Sequence, residues 1–167
     1  MAAAPEDRFN TWAEPPAEVV LHPGDVALAR LGDRLETLLG SCVSIILTDP
    51  RRTVAVMCHI VHSGTAPAED RRAETTHAEP ALAAMFRLLQ GCGISPQLCE
   101  AYLYGGGNMF PALFKQSHVG QSNAEWALQA LDGLGIRLLA QDTGGTVFRR
   151  ISWTVGPGEP EVRRGEA

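Results

Sequence analysis

Two residue types in this chain can do nucleophilic chemistry at neutral pH: four cysteines and five histidines. One cysteine stands in an unusual setting. Leu38-Leu39-Gly40-Ser41-Cys42-Val43 puts a Gly-Ser-Cys turn between two apolar runs. Gly40 allows a sharp turn and close approach by another group. Ser41 is small and leaves the next side chain accessible. Backbone N–H groups in such a turn can point at a developing oxyanion. A thiol there reads as a nucleophile on a tight elbow. It must become a thiolate to attack a carbonyl, and its free pKa of about 8.5 makes a neighbouring imidazole the usual activator.

Among His22, His59, His62, His77 and His118, His59 stands out. It lies inside the apolar stretch Thr53 to Val61, where a buried polar residue needs a partner. A hairpin turn at Asp49 to Arg52 would bring that stretch back beside Cys42. Strand alternation then puts Cys58 on the face opposite His59, as a core residue. Free cysteine is among the most buried residue types, and a strand histidine is commonly a satisfied core or surface group. Alone, the pair supports a thiol enzyme and nothing sharper.

The elements that must position this pair are short. Extended runs are expected at Val19 to Leu21, Val26 to Ala29, Val43 to Leu47, Thr53 to Val61, Cys99 to Tyr104, Arg137 to Ala140 and Val147 to Val155. His22-Pro23-Gly24-Asp25 is a turn signature. Pro80 to Gln90 reads as a helix burying Leu82, Met85 and Leu89, stopped by Gly91 and Gly93. A second helix is expected from about Asn123 to Leu134. Ser122 and Glu125 would form its capping box, and Ala127, Leu128, Leu131 and Leu134 its buried stripe. Mixed strands with two helices imply an α/β or α+β layered domain. Residues 1–17 read as a flexible lead-in, 18–155 as one domain and 156–167 as a polar tail.

Composition closes off other functions. The formal net charge is -5, and no basic stripe suits nucleic acid. The arginine pairs 51–52, 71–72 and 149–150 read as solvated surface. No apolar run approaches the ~18 residues of a membrane span. The N-terminus lacks a secretory pattern, so a cytoplasmic protein is expected. Cysteine spacings of 16, 34 and 7 contain no C-x-x-C pair, so neither disulfides nor a zinc site is expected. The run Gly105 to Gly107 could cradle phosphate, but no Gly-Lys-Ser/Thr follows and no G-x-G-x-x-G is present. A tight turn near the active site is the better reading, with Asn108 fixing the loop and Met109 and Phe110 in the core.

Several motifs together resemble the CheD chemoreceptor glutamine deamidases. They are Leu39-Gly40-Ser41-Cys42-Val43, Asp49-Pro50, His59, Tyr104-Gly105-Gly106-Gly107-Asn108-Met109-Phe110, Val119-Gly120-Gln121-Ser122-Asn123, and Asp142-Thr143-Gly144-Gly145 followed by Arg149. They fall in the family's order from about Val20 to Val155. The resemblance implies an α/β/β/α sandwich with mixed sheets, similar to the catalytic domain of deamidating toxins. It implies hydrolysis of glutamine side chains to glutamate on methyl-accepting chemotaxis receptors, without a cofactor. Some members are also credited with methylesterase activity. A CheC-type phosphatase is the family's usual regulator. Cys42 and His59 take the catalytic positions. Gly40 and Ser41 of the turn, with Gly106 and Asn108 of the glycine loop, are expected around the substrate amide and its oxyanion.

The chain departs from the pattern at four places. The family's third catalytic residue is a threonine six positions before the cysteine, where this chain has Glu36. Thr37 is the expected substitute, although alternation would turn it to the other face unless a bulge intervenes. Ser122, Ala73 and Phe148 replace the family's arginine, tyrosine and glycine at their positions. A rival reading follows: a non-catalytic module that binds receptors or a CheC-like regulator. Another is an amidase that uses the same dyad on a different protein.

Overall fold

A computed structural model describes residues 15–65 and 74–166. Most of the expected lead-in, Ala73 and the Arg71-Arg72 pair lie outside the described residues. The strands are β1 (Glu18–Leu21), β2 (Val26–Arg30), β3 (Arg34–Leu39), β4 (Val43–Thr48), β5 (Val54–Cys58), β6 (Glu100–Gly105), β7 (Arg137–Thr143), β8 (Val147–Thr154) and β9 (Glu161–Glu166). The helices are α1 (Ala78–Gly91) and α2 (Val119–Gly133).

Two mixed sheets form. One runs β1-β3-β8-β9 and the other β2-β5-β4-β6-β7. Their stacking follows from alternation along the strands. In β4, Val43, Ile45 and Leu47 face the helices while Ile46 faces the other sheet. Both faces of β4 are buried, and the strand is apolar apart from Ser44 and Thr48. Helices α1 and α2 both pack on the five-stranded sheet. The α+β layering with mixed sheets is therefore as expected. The order among the described residues is helices, five-stranded sheet, four-stranded sheet. The expected second helical layer is not among them.

Helix α1 buries Leu82, Met85 and Leu89 as the spacing predicts, and Gly93 leaves it at φ +75°. Helix α2 starts earlier than expected. Its N-cap is His118, whose Nδ1 accepts from the Gln121 N–H at 3.2 Å, so Ser122 sits inside the helix rather than at a capping box. The cap gains from a histidine acceptor that the S-x-x-E pattern does not signal. Leu131 and Ala127 are buried, Leu128 and Leu134 pack half-buried against the same core, and Gly120, Asn123 and Ala124 complete the stripe.

The polar tail is a second difference. Glu161–Glu166 pairs antiparallel with β8 along its length. An edge strand with one face in water needs few apolar residues, so its composition looks like a tail. Strand β3 also went unsignalled. It pairs with β1 and β8, both distant in sequence or topology.

Candidate active site

The nucleophile turn sits where β3 leaves one sheet and β4 enters the other. Residues 40–42 cross the gap, and two other loops hold them. The Gly106 N–H donates to the Cys42 carbonyl at 2.9 Å, and the Gly107 N–H donates to the Gly40 carbonyl at 2.9 Å. Gly105 has φ +108°, and a Cβ there would run into the Cys42 carbonyl oxygen. Only glycine allows that approach. From α2, Asn123 Nδ2 donates to the Ser41 carbonyl at 3.1 Å and to the Val61 carbonyl at 3.0 Å. Asn123 is almost fully buried and ties the nucleophile turn to the segment after β5.

The glycine loop is itself clamped. Arg149 is 3% exposed, not the solvated surface its pair suggests. Its Nε donates to Asp142 Oδ1 at 3.1 Å, Nη2 to the Gly144 carbonyl at 2.7 Å, and Nη1 to the Gly105 carbonyl at 3.3 Å. A planar guanidinium with a fixed fork of donors suits this set. Arg52, from another such pair, lies over the Tyr102 and Trp153 rings.

His59 follows β5 directly. Its N–H donates to the Asp25 carbonyl, and its carbonyl accepts from Gly24. The ring is nearly buried. Its Nδ1 lies 2.8 Å from Thr37 Oγ1, and that hydroxyl donates to the Leu21 carbonyl at 2.9 Å. A threonine hydroxyl has one proton. In the arrangement that gives this proton to Leu21, Thr37 accepts and His59 carries its proton on Nδ1. Nε2 is then the ring nitrogen without a proton. Thr37 is thus brought to the imidazole, and no bulge is needed. Strand β3 pairs in unbroken register on both sides, turning Leu35, Thr37 and Leu39 inward and Glu36 and Leu38 outward.

Cys42, His59 and Thr37 line one cavity of about 440 Å³. Leu21 and Pro23 form part of its wall. Glu36 and Arg150, paired at 2.8 Å, stand at its side. Burial pushes the Cys42 thiol up, partly offset by its own backbone N–H. Burial pulls the His59 imidazole down, opposed by the Leu21 carbonyl and the Asp25 carboxylate and aided by His22. Both shifts favour a neutral thiol beside a neutral imidazole. No turn or loop carbonyl among the described residues takes the N–H of Ser41 or Cys42.

Gly106 and Asn108 are scaffold. The Gly106 amide serves Cys42, as above. Asn108 Oδ1 accepts from the Phe110 N–H at 3.1 Å, and its Nδ2 donates to the Phe114 carbonyl at 2.6 Å. Asn108 therefore fixes its loop, as expected, and faces a second cavity of about 270 Å³ shared with Ser41, Phe110 and Phe114. The nucleophile turn separates the two cavities. Phe110 is 62% exposed, which corrects its expected place in the core. Cys58 is fully buried among aliphatic residues, and its thiol is pushed up to about 12 by burial. Among the described residues, no group of three or more His, Cys, Asp or Glu side chains could hold a metal ion.

Asn123 and Arg149 are the functional supports that residue-by-residue reasoning missed. Each stood in a quoted motif without a role. The signal for Asn123 was a polar side chain four residues before Ala127, on the buried face of α2.

Comparison with known proteins points one way. The family model described as CheD chemotactic sensory transduction matches residues 62–164. A protein from Pseudomonas savastanoi pv. phaseolicola, named "Probable chemoreceptor glutamine deamidase CheD", is 35% identical over 150 residues, 88% of this chain and 84% of its own length. Proteins of the same name from Thermococcus kodakarensis and Methanococcus maripaludis are 34% and 30% identical, covering 88% and 85% of this chain and 92% of each relative. The family match begins after His59. The longer alignments cover so much of the chain that they must run through Cys42 and His59.

Proposed function

The chain belongs to the CheD family and deamidates glutamines of chemoreceptors; from that premise we propose that Cys42 is the nucleophile, His59 the general base and acid, and Thr37 the group that holds the imidazole. The observation that carries this assignment is the chain Leu21 carbonyl, Thr37 hydroxyl, His59 Nδ1, which ties down one ring nitrogen of a histidine that lines the same cavity as Cys42; in this mechanism Nε2 is the free base.

The steps follow from that proton inventory. Nε2 takes the thiol proton as Sγ forms a bond to the carboxamide carbon of a receptor glutamine. The Ser41 and Cys42 N–H groups donate to the oxyanion. The tetrahedral adduct collapses, the carbon–nitrogen bond breaks, and the proton on Nε2 leaves with ammonia. Water then gives its proton to Nε2 and its oxygen to the thioester carbon. The carbon–sulfur bond breaks, the thiolate recovers the proton, and a glutamate remains. Each turnover thus exchanges a neutral amide for a carboxylate on the receptor and needs no cofactor.

A CheC-type regulator belongs to the same proposal. Phe110 and Phe114 line the second cavity and are exposed, as is Leu113 between them in the chain, and they offer an apolar surface for a protein partner. So does a cytoplasmic setting, since Cys42, Cys58, Cys92 and Cys99 are all free thiols, as a reducing compartment keeps them.

Cys42→Ala tests the assignment. Ammonia release from purified chemoreceptor cytoplasmic fragments should fall by roughly 10⁴-fold or more, the scale on which a lost covalent nucleophile acts. Release at the wild-type rate would remove Cys42 from the mechanism, and a module without turnover would release none in either form.

A further inference from the structure

One buried polar group beside the dyad has no partner. Ser44 is fully buried in β4, and its Oγ makes no hydrogen bond. A buried hydroxyl in that state is uncommon and costs stability. Thr48, on the same face of the same strand, shows the ordinary solution: its Oγ1 donates to the Val54 carbonyl at 2.8 Å.

The strand register says where Ser44 stands. Ile46 pairs with Met57, and Val43 pairs with Ile60, so Ser44 lies directly opposite His59. Val43 and Ile60 exchange both of their backbone hydrogen bonds. The next pair along an antiparallel ladder is therefore the close, non-hydrogen-bonded kind, with side chains brought nearest. Ser44 shares its face with Ile46, and His59 shares its face with Met57; both faces look into the layer between the sheets. On its other side Ser44 pairs with Tyr104 of β6.

We propose that Ser44 is a positioning residue for the proton transfer, its unpartnered hydroxyl turning its oxygen toward the imidazolium that His59 becomes. This rests on His59 being the base. While the ring is neutral, the hydroxyl has no strong partner to lose. When Nε2 has taken the thiol proton, the ring is a cation in a poorly hydrated layer, and a free hydroxyl dipole beside it lowers its energy. An interaction that strengthens only as charge develops speeds the step and does not merely tighten binding. The other groups around the ring act differently. Thr37 fixes Nδ1, Cys42 supplies the proton, and Asp25 favours the cation while His22 opposes it. Tyr104 comes from β6, and the paired Glu36 and Arg150 side chains stand at the cavity wall.

The test is Ser44→Ala, with Ser44→Thr as the variant that keeps the hydroxyl. In Ser44→Ala, kcat/KM for ammonia release should fall about three- to tenfold, the scale of one neutral hydrogen-bonding dipole. The acid limb of its pH profile should move to lower pH, because the imidazolium has lost support. Stability to urea should stay the same or rise, since the unpartnered hydroxyl is gone. Ser44→Thr should restore the wild-type limb. Two outcomes overturn the proposal: kcat/KM and the limb both unchanged, or stability lost with the limb in place, which marks simple packing. Cys42→Ala run alongside separates the two readings. If it is inactive while Ser44→Ala matches wild type, the dyad stands and the Ser44 role fails.

Discussion

The two buried layers of this protein differ in how far hydrocarbon extends. Between the helices and the five-stranded sheet, hydrocarbon runs from Val43 and Ile45 to Met85 and Leu131, and the buried Asn123 at its border has its amide on two backbone carbonyls. Between the sheets, the cluster is apolar through Leu35, Ile46, Met57 and Ile151, but it ends at Thr37, Ser44 and His59. Cys58 enters the first layer and Cys42 borders the second. One residue type on the two faces of one sheet therefore has opposite fates. The sealed thiol is pushed up to about 12 by burial, while the other shares a cavity with the His59 imidazole. The site exists because the second layer is left open at one end, where β3 crosses into β4.

The largest expected effect sharpens that contrast. At pH 8 iodoacetamide should modify Cys42 at least ~10³-fold faster than Cys58, whose thiolate fraction is negligible and whose sulfur is out of reach. Peptide mass mapping over time would measure both rates in one sample. His59→Ala should slow Cys42 alone and leave the exposed Cys92 unchanged. Equal rates at Cys42 and Cys58 would mean that the layers do not differ as described.

A second experiment attacks the scaffold of the open end. Arg149→Met leaves Asp142 with only Arg164, which it pairs through Oδ2, and leaves the Gly105 and Gly144 carbonyls without their donor. Breaking a buried pair typically costs about 3–5 kcal/mol. Asp142 keeps one partner and some solvent, so about 2–3 kcal/mol is expected here, read from urea denaturation. Arg149→Lys should recover little of it, because one ammonium cannot reach three divergent acceptors. Activity should fall with stability, since Arg149 holds the loop that holds Cys42. A stable, fully active Arg149→Met would show that the glycine loop keeps its shape unaided.

How much of this was legible in the sequence depends on the range of the interaction. Local signals were sound. The Gly-Ser-Cys turn, the Asp49 hairpin, the helix at Leu82 to Leu89 and the inward turn of Cys58 all depend on residues a few positions apart. The Asp49 carboxylate accepts from Thr53 and Val54, as a turn aspartate should. One miss was local, the cap of α2 that His118 takes in place of Ser122; the others named here were long-range. Arg149 looks like half of a surface pair until β8 lies beside the glycine loop. Glu161–Glu166 looks like a tail until β8 supplies a ladder. The face of Thr37 could not be judged by counting back from Cys42, because residues 40–42 leave one sheet for another and alternation does not carry through the crossing.

Thr37 offers the smallest effect and the closest test of the open end. Its hydroxyl links the Leu21 carbonyl and His59 Nδ1, so in the proposed mechanism it sets which nitrogen acts as base. Thr37→Val keeps the volume and the β-branch but removes the acceptor. The ring keeps the Leu21 carbonyl nearby as a substitute acceptor, which limits the loss. A fall of about 10–100-fold in kcat is expected, the range seen when partners that orient a metal-bound imidazole are removed. KM should change little, since Thr37 orients the base and binds no receptor surface. Thr37→Ser restores the hydroxyl and should return most of the rate. If Val and Ser variants behave alike, packing explains the position. If Ser rescues and Val does not, one proton on Leu21 decides which nitrogen of the imidazole is free to take the thiol proton.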